Sequence, residues 1–109
     1  MELTALQMET MERLFEAGFR PIVIPPYENA ICVHRGEFVA LLAPVVNGGM
    51  RLLAPATVLL DGNVSVRVQK ENGDVFMWKQ KEVVATDERL RGLELFRTEL
   101  EGILASHKL

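Results

Sequence analysis

The stretch that decides the fold runs Asn63-Val64-Ser65-Val66-Arg67-Val68-Gln69-Lys70-Glu71-Asn72-Gly73-Asp74-Val75-Phe76-Met77-Trp78. Valine alternates with polar residues from Val64 to Gln69, the period-two signature of a strand with one covered face. Asn72-Gly73 then turns the chain, and Asp74 to Trp78 returns as a second strand. Two registers compete. A two-residue loop at Asn72-Gly73 sets Val68 opposite Met77 and Arg67 opposite Trp78. A three-residue loop, Glu71-Asn72-Gly73, sets Val66 opposite Trp78 and Val68 opposite Phe76. The second gathers Val64, Val66, Val68, Phe76 and Trp78 on one apolar face, so burial favours it. In the first, Arg67 and Trp78 would form a cation–π pair on an exposed sheet face.

The same period extends outward from this hairpin. Upstream, Asp61-Gly62 is another tight turn, preceded by strands Met50 to Ala54 and Ala56 to Leu60 on either side of Pro55. Proline there implies a bend, an edge or a bulge. Glu37 to Ala43 and Ala30 to His34 form a hairpin around Arg35-Gly36, and Pro21 to Ile24 is a short first strand. Downstream, Glu82 to Ala85 is the last strand. Residues 20–85 therefore read as an antiparallel meander of six to eight strands, strongly curved or barrel-like.

A helix closes each end. Residues 4–17 open with Thr4 as N-cap and Gln7 as its capping-box partner. Gly18 supplies a left-handed stop, and Phe19 is placed to pack back on Leu14. Leu3, Leu6, Met8, Met11, Leu14, Phe15 and Ala17 form a broad apolar stripe, which predicts cover on more than one side. Residues 87–106 follow the N-cap Thr86, with Asp87 and Glu88 at the positive end of the helix dipole. Gly92 and Gly102 weaken that helix locally and leave room for a close approach. The expected fold class is α+β, a single domain over residues 1–109.

Composition narrows the function classes. The chain has 109 residues, 49% hydrophobic and 25% charged, enough for one core. A net charge of −3 disfavours binding to nucleic acid through bulk charge. One cysteine excludes an internal disulfide. The start, Met1-Glu2-Leu3-Thr4, lacks a signal-peptide pattern, and no apolar run is long enough to span a membrane. A complete, soluble, cytoplasmic protein with no membrane association is expected. Asn63-Val64-Ser65 matches a glycosylation pattern, read as coincidence in that setting.

No motif identifies a family, and no catalytic constellation emerges. Cys32 and His34 share a strand face, with Glu37 across the turn. No second Cys/His pair completes a metal site, and no third group or oxyanion hole completes a nucleophilic dyad. Asn47-Gly48-Gly49 lacks the lysine and helix of a phosphate loop. No Glu-x-Lys pattern marks a metal-dependent nuclease around Asp74, Lys79, Lys81 and Glu82. No cofactor and no metal are expected.

Three functional readings remain. The leading one is a non-enzymatic protein-interaction module, homodimeric through its helix faces, with Leu93, Phe96, Leu100, Ile103 and Leu104 as the seam. It requires a contiguous exposed apolar patch. The alternative is a small-molecule pocket between curved sheet and helices, using Cys32, His34 and Asn47. The weakest is nucleic-acid binding through Arg51, Arg67, Lys70, Lys79 and Lys81, which requires those residues on one face. Residues 51–81 hold five basic and three acidic side chains, a slight excess.

Overall fold

Strand order follows chain order almost without exception. A computed structural model of the chain describes residues 2–105. Helix α1 (Ala5–Glu16) leads into β1 (Arg20–Pro21), a 3-10 turn (Pro25–Tyr27), β2 (Ile31–Arg35) and β3 (Phe38–Pro44). There follow β4 (Met50–Leu52), β5 (Thr57–Leu60), β6 (Asn63–Val64), β7 (Val66–Lys70), β8 (Gly73–Trp78), β9 (Lys81–Val84) and helix α2 (Asp87–Ala105). One sheet runs β1-β2-β3-β5-β6, with β4 also on β3, and a second runs β7-β8-β9. All pairs are antiparallel. The nine strands are thus an α+β meander flanked by two helices. They form two sheets and no closed barrel among the described residues.

Two breaks explain the count. β4 and β5 lie along the same edge of β3, separated at Leu53–Ala56 around Pro55. Proline has no N–H to give a ladder, so the strand is interrupted there. Likewise β6 pairs β5, and after Ser65 the same run of chain pairs β8 instead. Ser65 is buried; its Oγ donates to the Val58 carbonyl at 2.5 Å and lies 3.1 Å from the Thr57 hydroxyl. The hydroxyl holds the divergence of the two sheets where the ladder stops. The expected strand Pro21 to Ile24 is shorter: only Arg20–Pro21 pairs β2 before the prolines turn the chain.

Helix ends follow local chemistry. Thr4 and Gln7 form the expected capping box. At the other end Gly18 takes φ +93°, with Phe19 N–H on the Leu14 carbonyl at 3.0 Å and Gly18 N–H on Phe15 at 3.1 Å. That is a Schellman closure. Thr86 Oγ1 accepts from Arg89 N–H at 3.1 Å and caps α2. The expected end of that helix, Ser106, lies outside the described residues.

The buried face of α1 differs from expectation. Gln7, Thr10, Met11 and Leu14 are buried, while Leu6, Met8 and Phe15 are exposed. Two polar residues thus replace part of the apolar stripe. Both are satisfied: Thr10 Oγ1 donates to the Leu6 carbonyl at 3.1 Å. Gln7 Nε2 donates to the carbonyls of Val45, Gly48 and Gly49 at 3.1–3.4 Å, fastening the β3–β4 loop to the helix.

The main core joins α1, α2 and one face of the first sheet through Met11, Leu14, Phe19, Val33, Leu42, Phe96 and Leu100. A smaller cluster on the opposite face holds Ile24, Cys32, Val39 and Leu41. A third joins β5, β8 and α2 through Val58, Leu60 and Phe76, with Leu90 and Leu93 packed against it. Gly92 lets α2 approach the sheet, since a Cβ there would sit 2.9 Å from Phe38 Cζ.

Candidate interaction surface

The hairpin register is neither of the two expected. Val66 pairs with Met77, Arg67 with Phe76, Val68 with Val75 and Lys70 with Gly73. The turn is Glu71-Asn72, and Gly73 already belongs to β8 with φ +117°. Phe76 therefore shares its face with Arg67 rather than with Val66 and Val68, which corrects the favoured arrangement. The physical reason is the third cluster. Val58 and Leu60 of β5 and Leu90 and Leu93 of α2 cover the Phe76 face, leaving the valine face of β7 outside.

That outer face is a small grid. One row is Val66, Met77 and Glu82; the next is Val68, Val75 and Val84; Lys70 and Gly73 begin a third. Partners in an antiparallel ladder point to the same side, so these residues are contiguous. Val66 is 64% exposed and Val84 61%. Val68 and Met77 are half-buried. Val75, at the centre, is only 8% exposed. Lys70 Nζ and Glu82 Oε2 meet at 2.7 Å from opposite corners of the grid, on either side of Val75. The hairpin tip adds a groove of about 660 Å³ lined by Lys70, Val75, Glu82 and Val84.

The reverse face of this sheet is polar at its margin. Arg67 Nε and Nη2 both lie 2.7 Å from Asp74 Oδ2. Lys81 Nζ lies 3.3 Å from Asp61 Oδ1, and Lys79 Nζ lies 4.5 Å from the Trp78 ring centre. The five basic residues of the nucleic-acid reading are thus not brought to one face. Lys70 is on the outer side, Arg67 on the inner side, and Arg51 on β4 of the other sheet. Arg67, Lys70 and Lys81 each pair with a carboxylate.

The helix seam is largely internal. Phe96 and Leu100 are 1% and 0% exposed, inside the main core, with Phe96 packed 5.1 Å from Phe19 and 5.8 Å from Phe38, centre to centre. Leu93, Ile103 and Leu104 are half-buried against the same core. The outward side of α2 presents Leu95, 64% exposed.

Cys32 and His34 do share a face, but the surroundings of Cys32 are apolar. Cys32 packs with Ile24, Val39 and Leu41, and burial pushes its thiol pKa up despite a hydrogen bond with the Ile24 backbone. A reactive thiol needs the opposite shift. His34 Nδ1 is buried with no hydrogen-bond partner among the described residues. Asn47 is exposed in the loop that Gln7 fastens to α1, with φ 59°. That helix covers the sheet face opposite Cys32, so the three residues do not converge. Among the described residues no group of three or more His, Cys, Asp or Glu is placed to hold a metal. One groove between sheet and helix contains none of these three residues. It measures about 490 Å³ at the junction of the sheets and α2, lined by Pro55, Thr57, Ser65, Arg67, Phe76 and Leu93. Its hydroxyls and guanidinium already bond to protein partners.

The outer valine face had one sequence signal. Val75, Phe76, Met77 and Trp78 are apolar at every position, so both faces of β8 are apolar in any register. No helix among the described residues is long and apolar enough to cross a membrane. Comparison with family models, with curated proteins and with solved structures found no match.

Proposed function

We propose that the protein is a non-enzymatic protein-interaction module whose contact surface is the outer face of β7–β9. The observation that supports this is the in-register set Val66, Val68, Met77 and Val84, with two of its valines more than 60% exposed. Three short strands present about 15 by 20 Å of sheet, roughly 300 Å². The Lys70–Glu82 ion pair crosses the centre of this face, so its exposed apolar area is smaller than that and lies to either side of the pair, as Val66 on one side and Val84 on the other. The helix stripe first expected to serve this role is turned inward at Phe96 and Leu100, so the contact moves to the sheet. A reducing, cytoplasmic setting fits the single unpaired thiol, Cys32.

A photo-crosslinking amino acid placed at position 84, in cells of the native host, tests the reading. Light-dependent protein adducts are expected from position 84 and none from the exposed position of Glu12 on α1. Equal yields at the two positions, or none at 84, overturn it.

A further inference from the structure

We infer that the occupant of this face is a second copy of the chain; the inference rests on the interaction reading above. The argument is the charge geometry of the grid. Lys70 and Glu82 stand at opposite corners around Val75, and their side chains meet across it. Consider two such faces stacked, with a two-fold axis lying between them, parallel to the sheets and perpendicular to the Lys70–Glu82 diagonal. That operation exchanges the two corners. Glu82 of the second copy lands over Lys70 of the first, Lys70 lands over Glu82, and Val75 lies over Val75.

An isologous contact needs this kind of self-complementary surface. Like charges at the two corners would repel under the same operation; unlike charges exchange the internal pair of each copy for two pairs across the contact. Sheets pack face to face at about 10 Å, a gap that extended lysine and glutamate side chains bridge. Lys70 and Glu82 are 45% and 44% exposed, so they re-pair across the contact without first leaving a buried site. The face is also neutral, so the net charge of −3 on each chain is not concentrated where the copies meet. Its roughly 300 Å² falls well below the ~800 Å² per partner of a standard stable interface. The dimer is accordingly weak and reversible.

Charge exchange provides the test. Sedimentation equilibrium is run over two decades of concentration on the full chain, with folding verified by circular dichroism. The unmodified protein is expected to move from monomer toward dimer. Lys70→Glu and Glu82→Lys are each expected to remain monomeric alone. Mixed in equal amounts they form a heterodimer, because each corner of one now meets its opposite on the other. Lys70→Glu/Glu82→Lys in one chain restores the homodimer. Val84→Thr, isosteric and still a strand former, weakens association about five-fold or more. A protein that stays monomeric throughout overturns the inference, as does a Lys70→Glu variant that dimerises like the parent or a mixture that does not pair. If position 84 crosslinks to a different protein while the chain is monomeric, the second copy is excluded and the interaction reading stands. If neither association nor crosslinking is found, both fall.

Discussion

The guanidinium carbon of Arg35 lies 4.5 Å from the centre of the Phe19 ring. From there Nη1 donates to the Ala17 carbonyl at 3.1 Å and to Glu99 Oε2 at 2.8 Å. One cation thus faces an aromatic ring, the negative end of α1 and a carboxylate on α2. It fastens the end of β2 to both helices.

The Arg35 hydrogen bond, and then its charge, hold the Glu99 carboxyl below the usual glutamate range. A carboxyl with a depressed folded pKa contributes stability above its unfolded value and loses it as pH falls through the folded one. Glu99→Gln should therefore lower the melting temperature at neutral pH. The two proteins should converge below the ordinary glutamate pKa of ~4.3. Melting curves across pH check this, and a difference that persists unchanged into strong acid contradicts it.

Gly92 and Gly102 share a helix and should respond in opposite directions to alanine. A Cβ at Gly92 meets Phe38 Cζ at 2.9 Å, and that ring is held against Phe96. Overpacking of about 1–3 kcal/mol outweighs a helix-propensity gain of ~1 kcal/mol. At Gly102 a Cβ would meet nothing within 4 Å among the described residues. Alanine there should stabilise by about 0.5–1 kcal/mol. Urea midpoints for the two variants measure the contrast.

Gln7 joins the cap of α1 to the loop after β3. Its Oε1 accepts from Thr4 N–H at 2.9 Å while Nε2 serves the loop carbonyls. Gln7→Leu leaves those groups unpaired and should cost about 2–4 kcal/mol. Gln7→Glu keeps the acceptor but turns a carboxylate toward carbonyl oxygens. Its deficit should shrink as the pH is lowered and the carboxyl gains a proton. Denaturant titrations at two pH values distinguish the variants.

The Cys32 thiol is buried, and burial raises its pKa. The thiolate is the reactive form. Labelling by a thiol reagent at mildly alkaline pH should be about 100-fold slower in the folded protein than in urea. Equal rates would place the thiol outside the cluster with Ile24, Val39 and Leu41.

What the sequence reveals is chiefly what neighbours decide. Thr4, Gln7 and Gly18 announce the ends of α1 because a cap is chemistry among residues three to six apart. Gly36, Gly62 and Gly73 mark turns because each takes a positive φ. The β7–β8 register escapes such reasoning. Assigning Gly73 to the loop or to the strand moves the pairing by one residue. Residues of β5 and α2, distant in the chain, decide which side of β8 is covered. The same holds for Gln7, whose burial makes sense only once the carbonyls after Pro44 arrive. It holds for Arg35 too, placed by its neighbours at a turn while its ion-pair partner lies 64 residues away. The outward position of Val66, Val68 and Val84 is hidden for the same reason: they read as core, although the face that β5 and α2 cover is the opposite one.

The agreement of strand order with chain order has a kinetic consequence. Each ladder joins segments that are close in the chain, so the strands zip with small losses of chain entropy at each step. The contacts between α1 and α2 and the Arg35–Glu99 bridge close the longest loops. Because low contact order speeds folding, the sheets should form early and the clasping of the two helices last. Folding then ends where the first and final segments of the chain meet.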